Sequence, residues 1–345
     1  MILNAVGAID PKAQPRPLAL VDLPSPVPKD DEVLVRVAAC GVCHTELDEI
    51  EGRLPPSSLP RVLGHQVVGR IEAIGASVTD RRIGDRVGVA WIFRACGVCV
   101  FCTSGRENLC ERFEATGRDA NGGYAEHMTA PAAFTHPIPD AISDVAAAPL
   151  LCAGAIGYRS LAMTKLADGE PLGLTGFGAS AHLVMQLARS HYPRSPVYVF
   201  ARSAEERAFA RELGAVWAGD TDDRPPVALA AIIDTTPVWR PIVRALACLA
   251  PGGRLVINAI RKEGADQSVL GELDYATHLW REKSIVSVAN VTREDVRAFL
   301  EIAAAEGIRP EVERYRLEDA NEALVDLKAR RVRGGKVLVI SSSSR

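Results

Sequence analysis

The chain has 345 residues, is 48% hydrophobic and carries a formal net charge of −3. That length exceeds a typical single core and points to two domains. The mild acidic balance leaves no basic footprint for nucleic acid, and no apolar run approaches the roughly 18 residues of a membrane span. The N-terminus lacks a charged segment followed by an apolar one, so a soluble cytoplasmic protein is expected.

Residues 1–150 hold short strand-like runs broken by Pro and Gly. Proline-rich "LPSPVPKDD" (23–31) reads as a loop, and "EVLVRVAA" (32–39) alternates like a half-buried strand. "VLGHQVVGRIEAIG" and "GDRVGVAW" are strand-and-turn segments, so this half reads as an irregular β-barrel or meander.

From about residue 152 the texture changes. "PLGLTGFG" is a strand entering a tight turn, and "ASAHLVMQLARS" has helical spacing. "PVYVF" is a strand, and "SAEERAFARELG" is a helix closed by a Gly C-cap. "LAAIIDTTP" reads as a strand, "WRPIVRALACLA" as a helix, "PGG" as a turn, and "RLVINAI" and "SIVSVAN" as strands. Strands alternating with helices predict βαβ units and a parallel sheet. After about 290 come two helices, the first opened by a capping box at "TRED" (292–295), and a final strand in "GGKVLVI". "SSSSR" reads as a solvated tail.

The eight cysteines concentrate the chemistry. In a large chain without an export signal they suggest metal or catalysis rather than disulfides. Cys96, Cys99, Cys102 and Cys110 form C-x2-C-x2-C-x7-C. Four thiolates so close in sequence can enclose one tetrahedral Zn²⁺ and leave no open position, which makes the site structural. A ferredoxin-type cluster is the rival, but its run ends C-x3-C-P. "GVCHTELD" (41–48) sets Cys43 beside His44. Adjacent residues diverge on a strand or helix, so the two are not expected to share an ion or to act as a nucleophile and its base. "TGFGASA" supplies Gly176, Gly178 and Ala181, a G-x-G-x-x-A fingerprint with Phe177, Ala179 and Ser180 between them. It follows a strand and opens a helix, the context in which a pyrophosphate sits on the helix N-terminus.

These motifs, in this order, resemble the zinc-dependent alcohol dehydrogenases of the medium-chain dehydrogenase/reductase family, from "VRVAACGVCHTE" to "GGKVLVI". The resemblance implies a mixed α/β architecture. A GroES-like, β-rich catalytic domain (1–151 and 291–345) would hold the zinc sites. A Rossmann doubly wound parallel sheet (152–290) would bind the dinucleotide. It implies an open catalytic zinc on Cys43, His65 and Cys152, beside the structural zinc, hence two zincs per chain. It implies a proton relay starting at Thr45, with Asp48 where many relatives carry a His. It places His44 near the cofactor pyrophosphate, Trp91 in the substrate cleft, and Lys336 near a cofactor-contacting Arg. Gln66 departs from the Glu that usually follows the zinc His. That removes one negative charge near the metal, though Gln can still hydrogen-bond there.

NAD enzymes place an acid about 20 residues beyond the fingerprint, against the ribose 2′-hydroxyl. By the family's spacing that position falls on Ala201, and Arg202, Ser203 and Arg207 follow. Guanidinium and hydroxyl groups suit a 2′-phosphate, so NADP(H) is favoured over NAD(H). The expected activity is reversible hydride transfer between an alcohol, primary ahead of secondary, and its aldehyde or ketone. A homo-oligomer, tetramer or dimer, built through residues 284–290 is implied. A zinc-free quinone or enoyl reductase and a non-enzymatic redox sensor that binds nucleotide are the alternatives. The first typically lacks both cysteine sets.

Overall fold

The computed structural model describes residues 1–13, 15–329 and 334–340, so the serine tail lies outside the described residues. The chain divides into two compact units, 1–155 with 291–345, and 156–290. The first break falls after Ala155 rather than after Leu151, so Cys152 belongs to the same unit as Cys43 and His65.

The first unit is built on the strand Glu32–Val42. It pairs antiparallel with Val67–Ile74, with His127–Pro131 and with Gly335–Val339. Arg86–Val89 and Thr135–Pro137 extend the sheet beyond Val67–Ile74, and Val312–Arg316 lies outside Gly335–Val339. The last of these strands was not expected: "VERYR" is polar and largely exposed, an edge pattern without an apolar face. Val33, Val35, Val37, Val67, Ile71 and Leu338 bury one side of the sheet against Leu47, Ile50 and Leu324. Burial of each such side chain contributes about 1.5–3 kcal/mol.

Two helices of the same unit matter to the site. His44–Ile50 starts directly after the long strand, capped by Cys43. Asp144–Pro149 runs into a π-helical turn, Leu150–Gly154, whose Leu150 carbonyl accepts from the Ala155 N–H. Pro149 has no N–H to continue the α ladder there, and single π turns recur at functional positions. The helical run 144–164 is long and apolar enough to cross a membrane by composition, which the sequence reading overlooked. It is a core element: 61% of its most apolar window is buried.

The second unit holds a six-stranded parallel sheet. Its spatial order is Trp217–Gly219, Val197–Phe200, Leu172–Thr175, Leu229–Asp234, Leu249–Ile257, Ser284–Ser287. In chain order this is 3-2-1-4-5-6, the doubly wound arrangement with its switch point between the first and fourth strands. The "PGG" segment is not a free turn. It is absorbed into the strand Leu249–Ile257 as an irregularity, where pairing jumps from Leu229–Leu249 to Ala231–Arg254 and Gly252 takes φ +74°. Tyr198, Phe200, Ile232, Leu246 and Leu255 form the core of this unit.

Candidate active site and cofactor-binding turn

The register of the first sheet assembles the metal-binding set. Cys40 pairs with Val67, and the Gly41 N–H donates to the Gln66 carbonyl at 3.0 Å. Continuing past this antiparallel pair brings Cys43 and His65 together, with Cys43 Sγ 3.6 Å from His65 Nε2. Gly41 is required here: a Cβ would lie 2.4 Å from Gln66 Oε1. The π turn delivers Cys152, and the ligand atoms of Cys43, His65 and Cys152 all lie within 4.8 Å of one another.

Two soft thiols and one imidazole fit zinc and leave a fourth position open. Their protonation also calls for a cation. Hydrogen bonding with Cys152, and then burial, push the Cys43 thiol well above its ordinary pKa. Two adjacent thiolates without a counter-charge repel; a divalent ion reverses that balance. Burial opposes a charged His65 ring, yet the Glu46 carboxylate and the Cys43 sulfur outweigh it and raise its pKa.

Glu46 is the residue the sequence reading missed. Its Oε1 lies 2.6 Å from His65 Nδ1, and its Oε2 accepts from the Cys43 N–H at 2.8 Å. It closes a capping box with Cys43, whose sulfur accepts from the Thr45 N–H at 3.4 Å. The signal was present as a carboxylate three residues after the helix N-cap. One turn further on, Glu49 is fully buried, and neither of its side-chain oxygens has a hydrogen-bond partner among the described residues. Burial first, and the Glu46 charge second, push its carboxyl well above the usual range.

The other expected residues fall as follows. Thr45 is buried in the first turn of the helix, and His44 is exposed beside it. Asp48 is buried and accepts from Arg53 Nε at 2.5 Å, so a relay through it would pass a carboxylate already engaged. Gln66 is buried and its Nε2 has no hydrogen-bond partner among the described residues. Trp91 is buried with its ring edge-on to His65, centroids 5.1 Å apart. Lys336 is buried in the sheet, where its ammonium donates to Glu313 and to the Tyr315 hydroxyl. A cofactor contact from Lys336 would require that arrangement to open.

Cys96, Cys99, Cys102 and Cys110 also place their sulfurs within 4.8 Å of one another. Cys99 caps the short helix Val100–Thr103, and Cys110 closes a 3₁₀ turn, Glu107–Leu109. Backbone N–H groups of Val98 and Cys99 lower the Cys96 thiol to about 5, while burial raises Cys102 to about 12. A closed set of four sulfurs fits a structural zinc.

In the second unit Gly176 takes φ +76° after the strand Leu172–Thr175. A Cβ on Gly178 would meet nothing within 4 Å, so the turn leaves open space at the second glycine. The helix Ala181–His191 starts after Ser180 without a side-chain cap, and the His182 and Leu183 N–H groups donate to the Gly178 and Ser180 carbonyls at 3.2 and 3.1 Å. Open space at the second glycine, beside a helix N-terminus, fits a pyrophosphate. Phe177 is buried edge-on to Phe209 at 5.4 Å, and Ala179 bridges the turn to Ser180. Ala201 is buried, Arg202 is exposed, and Ser203 caps the helix Ala204–Glu212. Arg207 Nη1 donates to the carbonyls of Ala201 and Arg202, both at 2.7 Å, and so fixes the loop between them.

Residues 29–140 match the alcohol dehydrogenase GroES-like domain. The chain is 45% identical over 331 residues to "Probable alcohol dehydrogenase AdhA" of Mycobacterium tuberculosis, covering 94% of this chain and 93% of the relative. It is 31% identical over 330 residues to an alcohol dehydrogenase of Geobacillus stearothermophilus, covering 93% and 95%. Among solved structures, an NAD-dependent alcohol dehydrogenase superposes with a TM-score of 0.85 at 26% identity over 99% of both chains. The alcohol dehydrogenase of Aeropyrum pernix gives 0.84 at 25% identity over 98% of both. With both cysteine sets gathered and a 3-2-1-4-5-6 sheet behind the glycine turn, the chain belongs to the alcohol dehydrogenases of the medium-chain dehydrogenase/reductase family, oxidoreductases that use NAD(P).

Proposed function

We propose that the protein is a zinc-dependent alcohol dehydrogenase that interconverts alcohols, primary ahead of secondary, with aldehydes or ketones and prefers NADP(H) to NAD(H). The convergence of Cys43, His65 and Cys152 carries this reading, because two thiolates and one imidazole with an open fourth position are a donor set of a catalytic zinc. When bound, zinc supplies Lewis acidity that lowers the pKa of an alcohol oxygen. The chain's own residues do the rest. Glu46 fixes the orientation of His65 through Nδ1 and leaves Nε2 facing Cys43. The Thr45 hydroxyl accepts the alcohol proton and passes it on, with Asp48 or water as the next acceptor. Trp91, rigid against His65, narrows the substrate cleft. The cofactor pyrophosphate rests on the turn at Gly176, Phe177, Gly178, Ala179 and Ser180.

The preference for NADP(H) rests on the absence of an acid at Ala201 and on the exposed Arg202 beside it. Ser203 and Arg207 shape the loop that presents this arginine. Exposed apolar side chains at Leu273, Tyr275, Leu279, Trp280 and Ile285 support a homo-oligomer built through the cofactor domain. The enzyme would act in the cytoplasm.

Elemental analysis tests the metal assignment. The native protein should carry about two zincs per chain and Cys43→Ser about one, because three ligands become two. About one zinc in both would leave only the four-cysteine site loaded and remove the dehydrogenase mechanism. A screen of short and aromatic alcohols with both cofactors follows.

A further inference from the structure

Parallel doubly wound sheets bind ligands in the crevice at the carboxyl ends of the strands flanking the switch point. Here those ends are Thr175 and Asp234. The space between them carries an unusually complete buried network. The Asp234 carboxylate is fully buried. It accepts from the Thr175 hydroxyl at 2.5 Å and from the Thr236 hydroxyl at 2.7 Å. Lys262, from the loop after the next strand, reaches back and donates to the same carboxylate. Its ammonium also donates to the Thr236 carbonyl at 2.5 Å and to the Val238 carbonyl at 3.3 Å. All three N–H donors of this side chain are thereby used.

The network abuts the glycine turn. Both the Thr235 hydroxyl and the Thr235 N–H donate to the Thr175 carbonyl, at 2.8 and 3.0 Å. A Cβ on Gly176 would lie 2.9 Å from Thr235 Oγ1 and 3.0 Å from Thr236 Cγ2. Residues 235–236 are therefore one wall of the turn that the fingerprint glycines form. The Asn258 N–H donates to the Asp234 carbonyl at 2.8 Å, so the loop carrying Lys262 leaves from the same strand end.

We infer that Lys262 and Asp234 form a latch that holds the 235–238 loop against the Gly176 turn and thereby sets the affinity of the dinucleotide. The inference rests on the reading of this turn as the cofactor site. Neither residue contacts the cofactor in this account; both are positioning residues. A buried ion pair has a poor net return in stability against an apolar pair of similar volume. Its two carbonyl contacts to one short loop, added to the carboxylate contact at the strand end, give it a use that stability alone does not.

The experiment compares the zinc-loaded wild type with Lys262→Met and with the double variant Asp234→Asn/Lys262→Met. NADPH and NADH binding is titrated by nicotinamide fluorescence, and thermal midpoints and steady-state rates are measured alongside. Lys262→Met leaves a buried carboxylate without its cation, so its midpoint should fall. The double variant removes both charges and should recover the midpoint. Because the loop still lacks the Lys262 anchors at the Thr236 and Val238 carbonyls, its cofactor Kd should remain raised about tenfold, with kcat at saturating cofactor and zinc content unchanged. Recovery of native cofactor affinity in the double variant would overturn the latch and leave a pair that only balances charge. Unchanged affinity in Lys262→Met would overturn it too. A wild type that binds neither nucleotide would instead sink the cofactor reading, and the latch with it. Should Lys262→Met prove insoluble, the double variant alone decides.

Discussion

His65 Nδ1 lies 2.6 Å from Oε1 of Glu46, and both side chains are sealed from solvent. One carboxylate thus binds the imidazole of one zinc-ligand candidate and the backbone N–H of another, Cys43. Such partners fix the tautomer and raise the basicity of a ligand, and their loss typically costs about 10–100-fold in metal affinity. Glu46→Gln should weaken zinc at the open site by about that factor in a chelator competition and lower kcat/KM with it. The four-cysteine zinc should stay. Equal loss from both sites would point to general unfolding instead.

The four-cysteine loop should serve stability rather than chemistry, since a closed thiolate set offers no place for substrate. Cys102→Ser is expected to lose about one zinc per chain and to lower the thermal midpoint. Turnover measured at low temperature on folded protein should stay near wild type. Immediate loss of activity in a folded sample would contradict this.

Arg202 is exposed just past the strand Val197–Phe200, beside Ala201. A charge-assisted contact to a phosphate contributes about 1.5–3 kcal/mol. Arg202→Ala should therefore raise the Kd for NADPH about tenfold or more and leave that for NADH nearly unchanged. Ala201→Asp should reverse the preference by rejecting the 2′-phosphate and accepting the 2′-hydroxyl. Parallel fluorescence titrations with both cofactors read out each change.

His136 gives a pH dependence unconnected with the metal. It is buried in the strand Thr135–Pro137, and burial first, then the Arg81 and Arg293 cations, lower its pKa from 6.5 to about 4. A depressed folded-state value means the unfolded chain binds the proton more readily. The associated stability is complete above pH 6.5 and is lost as pH falls toward 4. By pH 5 the loss amounts to about 2 kcal/mol. His136→Gln should flatten this part of the profile in denaturant titrations between pH 7.5 and 5. An unchanged acid limb would show that other groups dominate.

The candidate zinc ligands and the glycine turn were legible because their chemistry is tied to residue type and spacing. Only cysteine supplies thiolates, and glycine suits the φ of +76° taken at Gly176. The alternation of strands and helices from 171 to 290 likewise announced a parallel sheet, since each strand needs a helical crossover to return. The strand Val312–Arg316 was not legible: it is a polar edge whose only signature is its partner, Gly335–Val339. The fate of Asp48 was hidden for a related reason. Its bond to Arg53 depends on how the chain turns after the helix, not on either residue's type.

What the sequence determined by itself was therefore the inventory: two sets of candidate metal ligands, a glycine fingerprint between a strand and a helix, and an Ala at position 201. The tertiary structure decided which polar groups face each other across elements far apart in the chain. Glu46 became the partner of His65 through a helix cap and a sheet register, Lys336 was drawn into the sheet by Glu313, and Lys262 reached Asp234 across a strand crossover. Burial makes such pairings obligatory, because an unpaired charge in the interior is costly, but local sequence does not specify which partner the fold will supply.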